Sequence, residues 1–198
     1  PEVNGDLLKK HPKLIANPNC SAAILAVALA PLHRAAGLQR VVVATYQSAS
    51  GAGAKAMAEL EKQVKDYAAG KEPKAEVFPH VLAFNLFSHN SPVGANGYNE
   101  EENKMVEETR KIFGLSDLNM VPTCVRVPVP RAHSEAVVAS FAKKISVPEA
   151  KALLAKAEGV KVVDEPQKNL FPMPRDAASG GGSGRSRRRK IPALRSCC

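Results

Sequence analysis

The chain has 198 residues, 44% of them apolar, which is enough to bury a core for one large domain or two small ones. It contains no tryptophan and only 5% aromatic residues, so base stacking on single-stranded nucleic acid is not indicated. The longest apolar run, over residues 22–32, is too short to span a membrane, and residues 1–10 show no hydrophobic signal peptide.

The net charge of +9 belongs mainly to the last fourteen residues, which contain six basic residues and no acidic one. Without them the balance is 22 basic against 19 acidic residues, or +3, so nucleic acid is not expected as a partner of the body. Taken alone, the tail is compatible with nucleic-acid binding, nuclear targeting or lipidation at its two final cysteines. Four cysteines are too few for a disulfide framework in this chain and favour a reducing compartment.

In the first half of the chain, helix and strand patterns alternate. Residues 21–37 are predicted to form a helix that is apolar on all faces and therefore buried, and residues 39–48 a buried strand rich in β-branched residues. A second helix is predicted over 52–67, with its charges on one side. Residues 73–92 are rich in Phe, His, Asn and Pro, which predicts a long loop with short extended pieces.

The second half contains two helix starts with capping-box patterns, Asn99 with Glu102 and Ser146 with Glu149. The predicted elements are, in order, a helix over 99–113, strands over 119–129 and 134–145, a helix over 146–159 and a short strand over 160–163. From residue 176 on, the glycine-rich and then arginine-rich sequence predicts no fold. This order predicts an α/β or α+β fold in which helices pack on one mixed sheet.

Cys20 follows an Asn-Pro-Asn turn and stands at the start of the first predicted helix. A cysteine in such a place is often just a small apolar side chain. Free N–H groups and the dipole at a helix N-terminus would, however, stabilise a thiolate and favour a nucleophile. Its proton acceptor would come from elsewhere, and His133 is the candidate, because two prolines in residues 126–133 fix the backbone after a strand. Three other histidines are interpreted as solvated: His11, His33 and His89.

Glu101 and Lys104 lie three residues apart near a helix start and therefore share a face. They are either an ordinary surface pair or part of a site for a zwitterionic or phosphorylated ligand. Gly51 and Gly53 are compatible with a turn whose N–H groups face an anion, although the full GxGxxG pattern is absent. Histidines and cysteines do not have metal-ligand spacing, so no metal site is predicted.

Seven segments together resemble the motifs of the aspartate-semialdehyde dehydrogenase family, and the resemblance covers about residues 1–178. They are residues 17–21 (NPNCS), 46–53 (YQSASGAG), 84–86 (FNL), 99–105 (NEEENKM), 108–112 (ETRKI), 126–133 (RVPVPRAH) and 169–175 (NLFPMPR). The resemblance implies a C-terminal domain of the glyceraldehyde-3-phosphate-dehydrogenase type, with helices on one mixed sheet.

The resemblance also implies a role for each matching position. The implied catalytic residues are Cys20 as the thioester-forming nucleophile, Gln47, which orients the acyl group, and His133 as the acid/base. The implied substrate-binding residues are Asn19 beside the nucleophile, Glu101 for the ammonium, Lys104 for the phosphate and Arg126 for the carboxylate. Ser50 and Gly51 are implied to contact the nicotinamide end of the cofactor, NADP.

The reaction implied by the resemblance is the NADP-dependent reductive dephosphorylation of L-4-aspartyl phosphate to L-aspartate 4-semialdehyde through a cysteine thioester. This step belongs to lysine, threonine and methionine biosynthesis. The family also implies a homodimer, no membrane association, and a location in the cytoplasm or the plastid stroma.

The sequence departs from the family pattern at both ends, since no Gly-rich dinucleotide-binding domain precedes residue 17 and the usual strand and helix after Arg175 are replaced by a GGGSGRSRRRK segment. We therefore predict a catalytic and dimerisation domain over 1–178 and a disordered basic tail over 179–198 that arises from a frame shift or mis-splicing. We expect this chain alone not to bind NADP usefully and to be inactive. The alternative function is an inactive dimerisation or interaction module.

Overall fold

The structure, a computed structural model, describes residues 2–10, 13–179 and 191–193 of the chain. Its α-helices are α1 (Cys20–Ala36), α2 (Ala54–Ala68), α3 (Glu100–Phe113), α4 (Val147–Lys156) and α5 (Pro174–Ser179). Its strands are β1 (Leu38–Gln47), β2 (Phe87–Ser88), β3 (Asn119–Arg126), β4 (Ser134–Phe141), β5 (Val160–Val162) and β6 (Ile191–Ala193). Short 3₁₀ turns cover Gly5–Lys10, Ala49–Ala52 and Pro166–Lys168.

The main sheet is mixed and has the strand order β2-β3-β1-β4. β1 pairs in parallel with β3 and antiparallel with β4, while β2 pairs antiparallel with β3. In this register Gln47 lies beside Arg126 at the carboxyl ends of the two parallel strands. Ser134 pairs with Tyr46, so the segment that leads into β4 reaches the same edge of the sheet.

One face of the main sheet carries the core. Strand side chains alternate between the two faces, and the buried set of β1 includes Val41, Val43, Thr45 and Gln47. Leu25 and Leu29 of α1 lie in the same buried cluster as Val41 and Val43, together with residues of α3 and α4. This packing fixes the N-termini of α1 and α3 near the strand ends that carry Gln47 and Arg126.

The opposite face of the sheet is apolar but open to solvent. Tyr46 is 41% exposed and Val138 is 68% exposed, and Val42 pairs in register with Val138 on one side and with Val121 on the other. A sheet face with such side chains normally packs against something. We call this set of residues the outer face.

The long connection between α2 and β2 is held by two polar side chains of α2. The carboxylate of Glu59 accepts backbone hydrogen bonds from residues 76–78, and Gln63 accepts them from Leu82 and Ala83. Phe78 and Leu82 then pack with Leu60 in a second buried cluster. This irregular connection is therefore anchored, which gives the residues that follow it a fixed place.

The predicted fold class is confirmed, and each main predicted helix and strand is present. The strand predicted over 134–145 ends at Phe141, and the helix predicted over 146–159 ends at Lys156. Both capping boxes are present, at Asn99 and at Ser146. Helix α1 is buried along one stripe but only partly on its other side, where Arg34 and Ala35 are exposed. The described helices include none that is both long and apolar enough to cross a membrane.

The prediction that nothing folds from residue 176 on is wrong in two places. Helix α5 continues to residue 179, and residues 191–193 form β6, which pairs in parallel with β5. Main-chain pairing with an existing strand needs no hydrophobic pattern, which is why composition did not reveal β6. Residues 180–190 and 194–198, including the arginine run, lie outside the described residues.

Candidate active site

The N-terminus of α1 holds Cys20 in place. Asn19 is the N-cap, and its side-chain oxygen accepts hydrogen bonds from the backbone N–H groups of Ser21 at 2.9 Å and Ala22 at 3.2 Å. Cys20 is the first residue of the helix, and its thiol is free and exposed. The cap thus fixes the start of the helix and with it the position of the Cys20 thiol.

Helix α3 fixes this cap from the other side. Glu101 Oε1 accepts a hydrogen bond from Asn19 Nδ2 at 2.8 Å, and the Glu108 carboxylate accepts one from the Asn19 backbone N–H. Glu102 in turn accepts hydrogen bonds from the backbone N–H groups of Asn99 and Cys124, which ties α3 to β3. Three carboxylates of one helix therefore position the thiol and the neighbouring strand.

Gln47 joins the same network from the end of β1. Its side chain is 1% exposed, and its Nε2 donates to Glu101 Oε1 at 3.0 Å and to Ser21 Oγ at 3.2 Å. Burial alone would raise the pKa of Glu101, but hydrogen bonds from Asn19 and Gln47 and the nearby positive groups hold that pKa below its ordinary value. Glu101 is therefore an ionised carboxylate next to the thiol.

The expected activation of Cys20 by the helix N-terminus alone is wrong. Partial burial and the negative charge of Glu101 raise the pKa of the Cys20 thiol, and they outweigh the hydrogen bonds from Ser21 and the Cys20 backbone N–H that lower it. The N-terminus of α1 is not the only charge near the thiol, because Glu101 of α3 also acts on it and raises its pKa. Without a ligand, the thiol form of Cys20 is favoured.

Arg126 supplies a buried positive charge at the end of β3. It is 5% exposed, its Nη2 lies 2.8 Å from His89 Nε2, and its guanidinium stands over the Phe78 ring at 5.6 Å. Within residues 2–10, 13–179 and 191–193, no carboxylate forms an ion pair with it, and its Nε has no hydrogen-bond partner. Burial of an unpaired cation is costly, which is typical of a residue whose partner is a ligand.

His133 precedes β4 and faces the turn after β1. Its Nδ1 accepts a hydrogen bond from the Ser48 backbone N–H at 2.9 Å and lies 2.9 Å from Ser48 Oγ. The neutral ring therefore carries its proton on Nε2. Burial first, and then the charge of Arg126, lower the pKa of His133, which keeps the ring neutral near pH 7. Ala132, just before it, has a φ of 70°, an unusual backbone for a residue with a side chain.

Ser50 and Gly51 lie in the 3₁₀ turn between β1 and α2. The Ser50 backbone N–H donates to the Pro130 carbonyl at 3.0 Å, which joins the turn to the segment before His133. A Cβ added at Gly51 would stand 2.9 Å from His133 Cε1 and 3.1 Å from Arg126 Nη1. Glycine is required here for a close approach of side chains rather than for a positive φ.

The structure separates Glu101 from Lys104, although both lie on α3. Glu101 is 8% exposed and points into the network, whereas Lys104 is at the surface and pairs with Glu100 at 2.7 Å. Of the two alternatives drawn from the sequence, the ordinary surface pair of Glu101 with Lys104 is therefore not formed, because the i, i+4 partner Glu100 binds the ammonium. Lys104 lies at the rim, where its charge still acts on Glu101 and His89.

The site residues thus form two connected groups. Asn19, Cys20, Gln47 and Glu101 make one, and Arg126, His133 and the Ser50–Gly51 turn make the other. Gln47 joins the two groups, because it donates to Glu101 and lies beside Arg126 in the register of β1 and β3. Burial lowers the pKa of Arg126, and the negative charge of Glu101 opposes that shift. Carboxyl ends of neighbouring parallel strands and helix N-termini are where ligands bind in many α/β proteins.

Sequence reasoning missed three residues of this region. His89 was taken as a solvated histidine but is half-buried against Arg126, and Glu108 was part of a motif without a role. Glu135 of β4 pairs in register with Thr45 on the buried face, and in the described part of the chain its buried Oε1 has no hydrogen-bond partner. Burial raises the pKa of Glu135 to about 8. A glutamate in an otherwise apolar strand was the available signal for it.

This fold and this constellation have counterparts. The profile of the family described as "Semialdehyde dehydrogenase, dimerisation domain" matches residues 29–185. The chain therefore belongs to the semialdehyde dehydrogenase dimerisation-domain family. More particularly, the relatives it matches bear the name aspartate-semialdehyde dehydrogenase, which confirms the resemblance seen in the motifs.

Two relatives and one solved structure define the likeness. The aspartate-semialdehyde dehydrogenase of Synechocystis sp. is 57% identical over 177 residues, which are 89% of this chain and 52% of the relative. That of Prochlorococcus marinus is 53% identical over 176 residues, 89% of this chain and 51% of the relative. The Vibrio cholerae aspartate semialdehyde dehydrogenase II complexed with ASA is 36% identical, with a TM-score of 0.83, over 88% of this chain and 52% of that one. The chain thus spans about half the length of the relatives it matches.

Proposed function

We propose that this chain forms the catalytic and dimerisation part of an NADP-dependent aspartate-semialdehyde dehydrogenase. The observation that carries the proposal is the arrangement of groups at one edge of the sheet. Arg126 is buried, forms no ion pair with a described carboxylate and lies beside Gln47 in the register. Gln47 and the cap of the exposed Cys20 both donate hydrogen bonds to an ionised Glu101. Arg126 supplies a cation, Glu101 an anion and Cys20 a nucleophile. These are the groups needed to bind an amino-acid substrate and attack its side-chain carbonyl. The likeness to relatives of that name, one solved in complex with ASA, supports the same substrate class.

In this proposal each ionic group of the substrate has one counterpart. Arg126 binds the carboxylate, for which a planar guanidinium is well suited, and Glu101 binds the ammonium. Lys104 binds the phosphate, and to do so its ammonium must exchange Glu100 for the ligand. Gln47 lies between Glu101 and Ser21 and orients the acyl group.

Substrate binding would also activate the nucleophile. The negative charge of Glu101 is one of the causes that raise the pKa of Cys20. An ammonium group bound to Glu101 would neutralise that charge, so the thiol would ionise more easily with substrate than without it. The site is thus built to generate the thiolate after the substrate arrives.

The chemistry then proceeds on Cys20. The sulfur attacks the acyl carbon of aspartyl phosphate, an S–C bond forms, and phosphate leaves with the electrons of the broken C–O bond. The thiol proton passes to His133 Nε2. For this the ring proton must first move to Nδ1, which gives up the hydrogen bond from the Ser48 backbone N–H and donates to Ser48 Oγ, 2.9 Å away. After reduction of the thioester, the C–S bond breaks, the semialdehyde departs and His133 returns the proton to sulfur.

The Ser50–Gly51 turn fits the reactive end of the cofactor. Gly51 is exposed on its outer side, while His133 and Arg126 fill the space where a side chain would stand. If the cofactor binds here, Ser50 and the exposed side of Gly51 would hold its nicotinamide end. When bound, NADPH supplies the hydride that reduces the thioester.

The acylation half-reaction tests the proposal without any cofactor. Incubation of the chain with β-aspartyl phosphate should release phosphate and add one aspartyl group to the peptide that contains Cys20, as seen by mass spectrometry. Hydroxylamine should remove the group, because it cleaves thioesters. Cys20→Ser should not react, and Cys124→Ser is the matched control for a thiol that is buried. Labelling that does not depend on Cys20 would refute the proposal.

Turnover is a separate question, since the chain spans half of its relatives. We expect no phosphate-dependent formation of NADPH from aspartate semialdehyde by the 198-residue chain alone. Sustained turnover by this chain would contradict that expectation and leave the acylation result untouched.

A dimerisation module is the second candidate function, and the outer face favours it. Tyr46, Val121 and Val138 are exposed on an apolar sheet face, and the matching family is described as a dimerisation domain. We propose that a second copy of the chain covers this face. Sedimentation analysis should then find a dimer even for Cys20→Ser, whereas a monomer at micromolar concentration would exclude it.

A further inference from the structure

His89 has a fixed place beside Arg126. It follows β2 directly, and its backbone N–H donates to the Cys124 carbonyl at 2.8 Å, which continues the β2–β3 pairing. Its ring reaches the guanidinium, with Nε2 2.8 Å from Arg126 Nη2. Backbone and side chain of His89 therefore contact the same strand, two residues apart.

The surrounding hydrogen bonds define which ring nitrogen carries the proton. An arginine can only donate, so His89 Nε2 must accept at the 2.8 Å contact, and the ring proton lies on Nδ1. From there it donates to Ser91 Oγ at 3.1 Å. The reverse arrangement would use the weaker 3.3 Å contact of the Ser91 N–H and place two donors face to face at Nε2. Ser91 Oγ also accepts the backbone N–H of Glu101, so the chain of contacts ends on α3.

We propose that His89 is a positioning residue: its Nε2 holds the Arg126 guanidinium in the orientation that binds the carboxylate of the substrate. This inference rests on the proposed function for the role of Arg126. The guanidinium has few other anchors among the described residues, where its second contact, from Nη1 to the Ser48 carbonyl, is long at 3.5 Å and its Nε has no hydrogen-bond partner. Without His89 the planar group would be free to turn over the Phe78 ring.

The charges around His89 keep it neutral, as an acceptor must be. Burial and then the charge of Arg126 lower the pKa of His89, and Lys104 acts in the same direction. Glu101 and Glu102 oppose this shift but do not reverse it. Near pH 7 the ring therefore has a free lone pair for the guanidinium.

A pair of alkylating reagents tests the inference at Cys20. Iodoacetate carries a carboxylate that Arg126 can bind, whereas iodoacetamide has the same reactive carbon without the charge. The measured quantity is the ratio of the two second-order rate constants at Cys20, followed by mass spectrometry of its peptide. The ratio cancels changes in the ionisation of the thiol, because both reagents react with the same thiolate.

Four variants separate the roles. Arg126→Leu should abolish the preference for iodoacetate, and His89→Leu should reduce it about tenfold, the usual effect of a hydrogen bond to a charged group. His89→Gln should restore most of it, because the glutamine carbonyl can accept where Nε2 does. Ser91→Ala keeps the His89 ring but removes the oxygen that accepts the proton on Nδ1, so the ratio should also fall. This variant replaces His89→Leu if the latter does not fold.

The outcomes distinguish the two proposals. An unchanged ratio in His89→Leu and Ser91→Ala, with a loss in Arg126→Leu, would overturn the role of His89 and leave the carboxylate site intact. An unchanged ratio in Arg126→Leu would overturn both this inference and the assignment of the carboxylate to Arg126. A loss in His89→Leu that His89→Gln does not repair would also contradict the inference, because it would point to packing rather than to an acceptor.

Discussion

Ionisation of Glu135 should make the stability of this protein fall as the pH rises from acid to mildly basic values. Its side chain lies on the buried face of β4, opposite Thr45, and no residue that the structure describes forms a hydrogen bond with its Oε1. Burial raises its pKa from 4.5 to about 8. A folded-state pKa above the unfolded one means that the stabilisation is complete below about pH 4.5 and is lost as the pH passes through about 8.

The size of the effect follows from these two pKa values. Each pKa unit corresponds to about 1.4 kcal/mol, so the difference between 4.5 and about 8 corresponds to about 5 kcal/mol of unfolding free energy. About 3 kcal/mol of this should already be lost at pH 7, since the unfolded chain ionises there and the folded chain does not. A glutamine at this position cannot ionise and should escape the loss.

Urea unfolding of the wild type and of Glu135→Gln, at half-unit steps from pH 5 to pH 9, measures this difference directly. The difference in unfolding free energy between the variant and the wild type should increase in favour of the variant by up to about 1.4 kcal/mol per pH unit. This increase should end above pH 8. Glu107→Gln removes a glutamate from an exposed position of α3 and serves as the control. A constant difference between Glu135→Gln and wild type across this range would refute the burial of the carboxyl.

Three further changes have defined outcomes. Gly51→Ala places a methyl group 2.9 Å from the His133 ring, so stability should fall by about 1–3 kcal/mol and aspartyl transfer to Cys20 should slow. Asn19→Ala removes the cap of α1, which should cost about 1 kcal/mol in urea unfolding and slow alkylation of Cys20 by iodoacetate. Val138→Asp charges the outer face and should shift the dimer to monomer in sedimentation, with little effect on the unfolding of the monomer.

Each of these changes has a matched control. Gly53→Ala meets no atom within 4 Å, so it should cost stability through its φ of 93° without slowing aspartyl transfer. Asn19→Asp keeps a capping oxygen but loses the N–H donor to Glu101. It therefore distinguishes the effect of the cap from the effect of the hydrogen bond to Glu101. Val138→Thr keeps the shape of the outer face without a charge. If a variant and its control behave alike, the assigned cause is wrong.

Local patterns predicted the helices, the strands and the mixed sheet, because each depends on neighbours a few residues apart. The capping box of α3 is an example, since Asn99 and Glu102 are close in sequence and bond as the pattern predicts. The end of β3 was predicted three residues too late, because Val127 and Val129 favour a strand although the paired register with β1 ends at Arg126. Propensity registers residue type but not the partner strand.

The candidate site was predictable as a set of residues but not as a geometry. Helical spacing places Glu101 and Lys104 on one face, yet only the packing of α3 against α1 shows that Glu101 points inward and that Lys104 meets Glu100. His89 lies in an irregular connection whose path depends on Glu59 and Gln63, so no periodicity could place its ring on Arg126. The sign of the Cys20 pKa shift likewise depends on a charge from a distant helix.

The contacts that hold Asn19 also determine how late in folding the site around Cys20 is formed. Its two bonds to α3 join residues 82 and 89 positions apart, and between them the chain must complete β1, α2 and the anchored connection. Contacts of such long separation form late in folding, since the loop they close must first be ordered. During synthesis, Cys20 would therefore be present in the nascent chain well before the site around it has formed. Selective chemistry at sulfur would begin only when α3 docks, which needs residues 82 and 89 positions beyond Asn19.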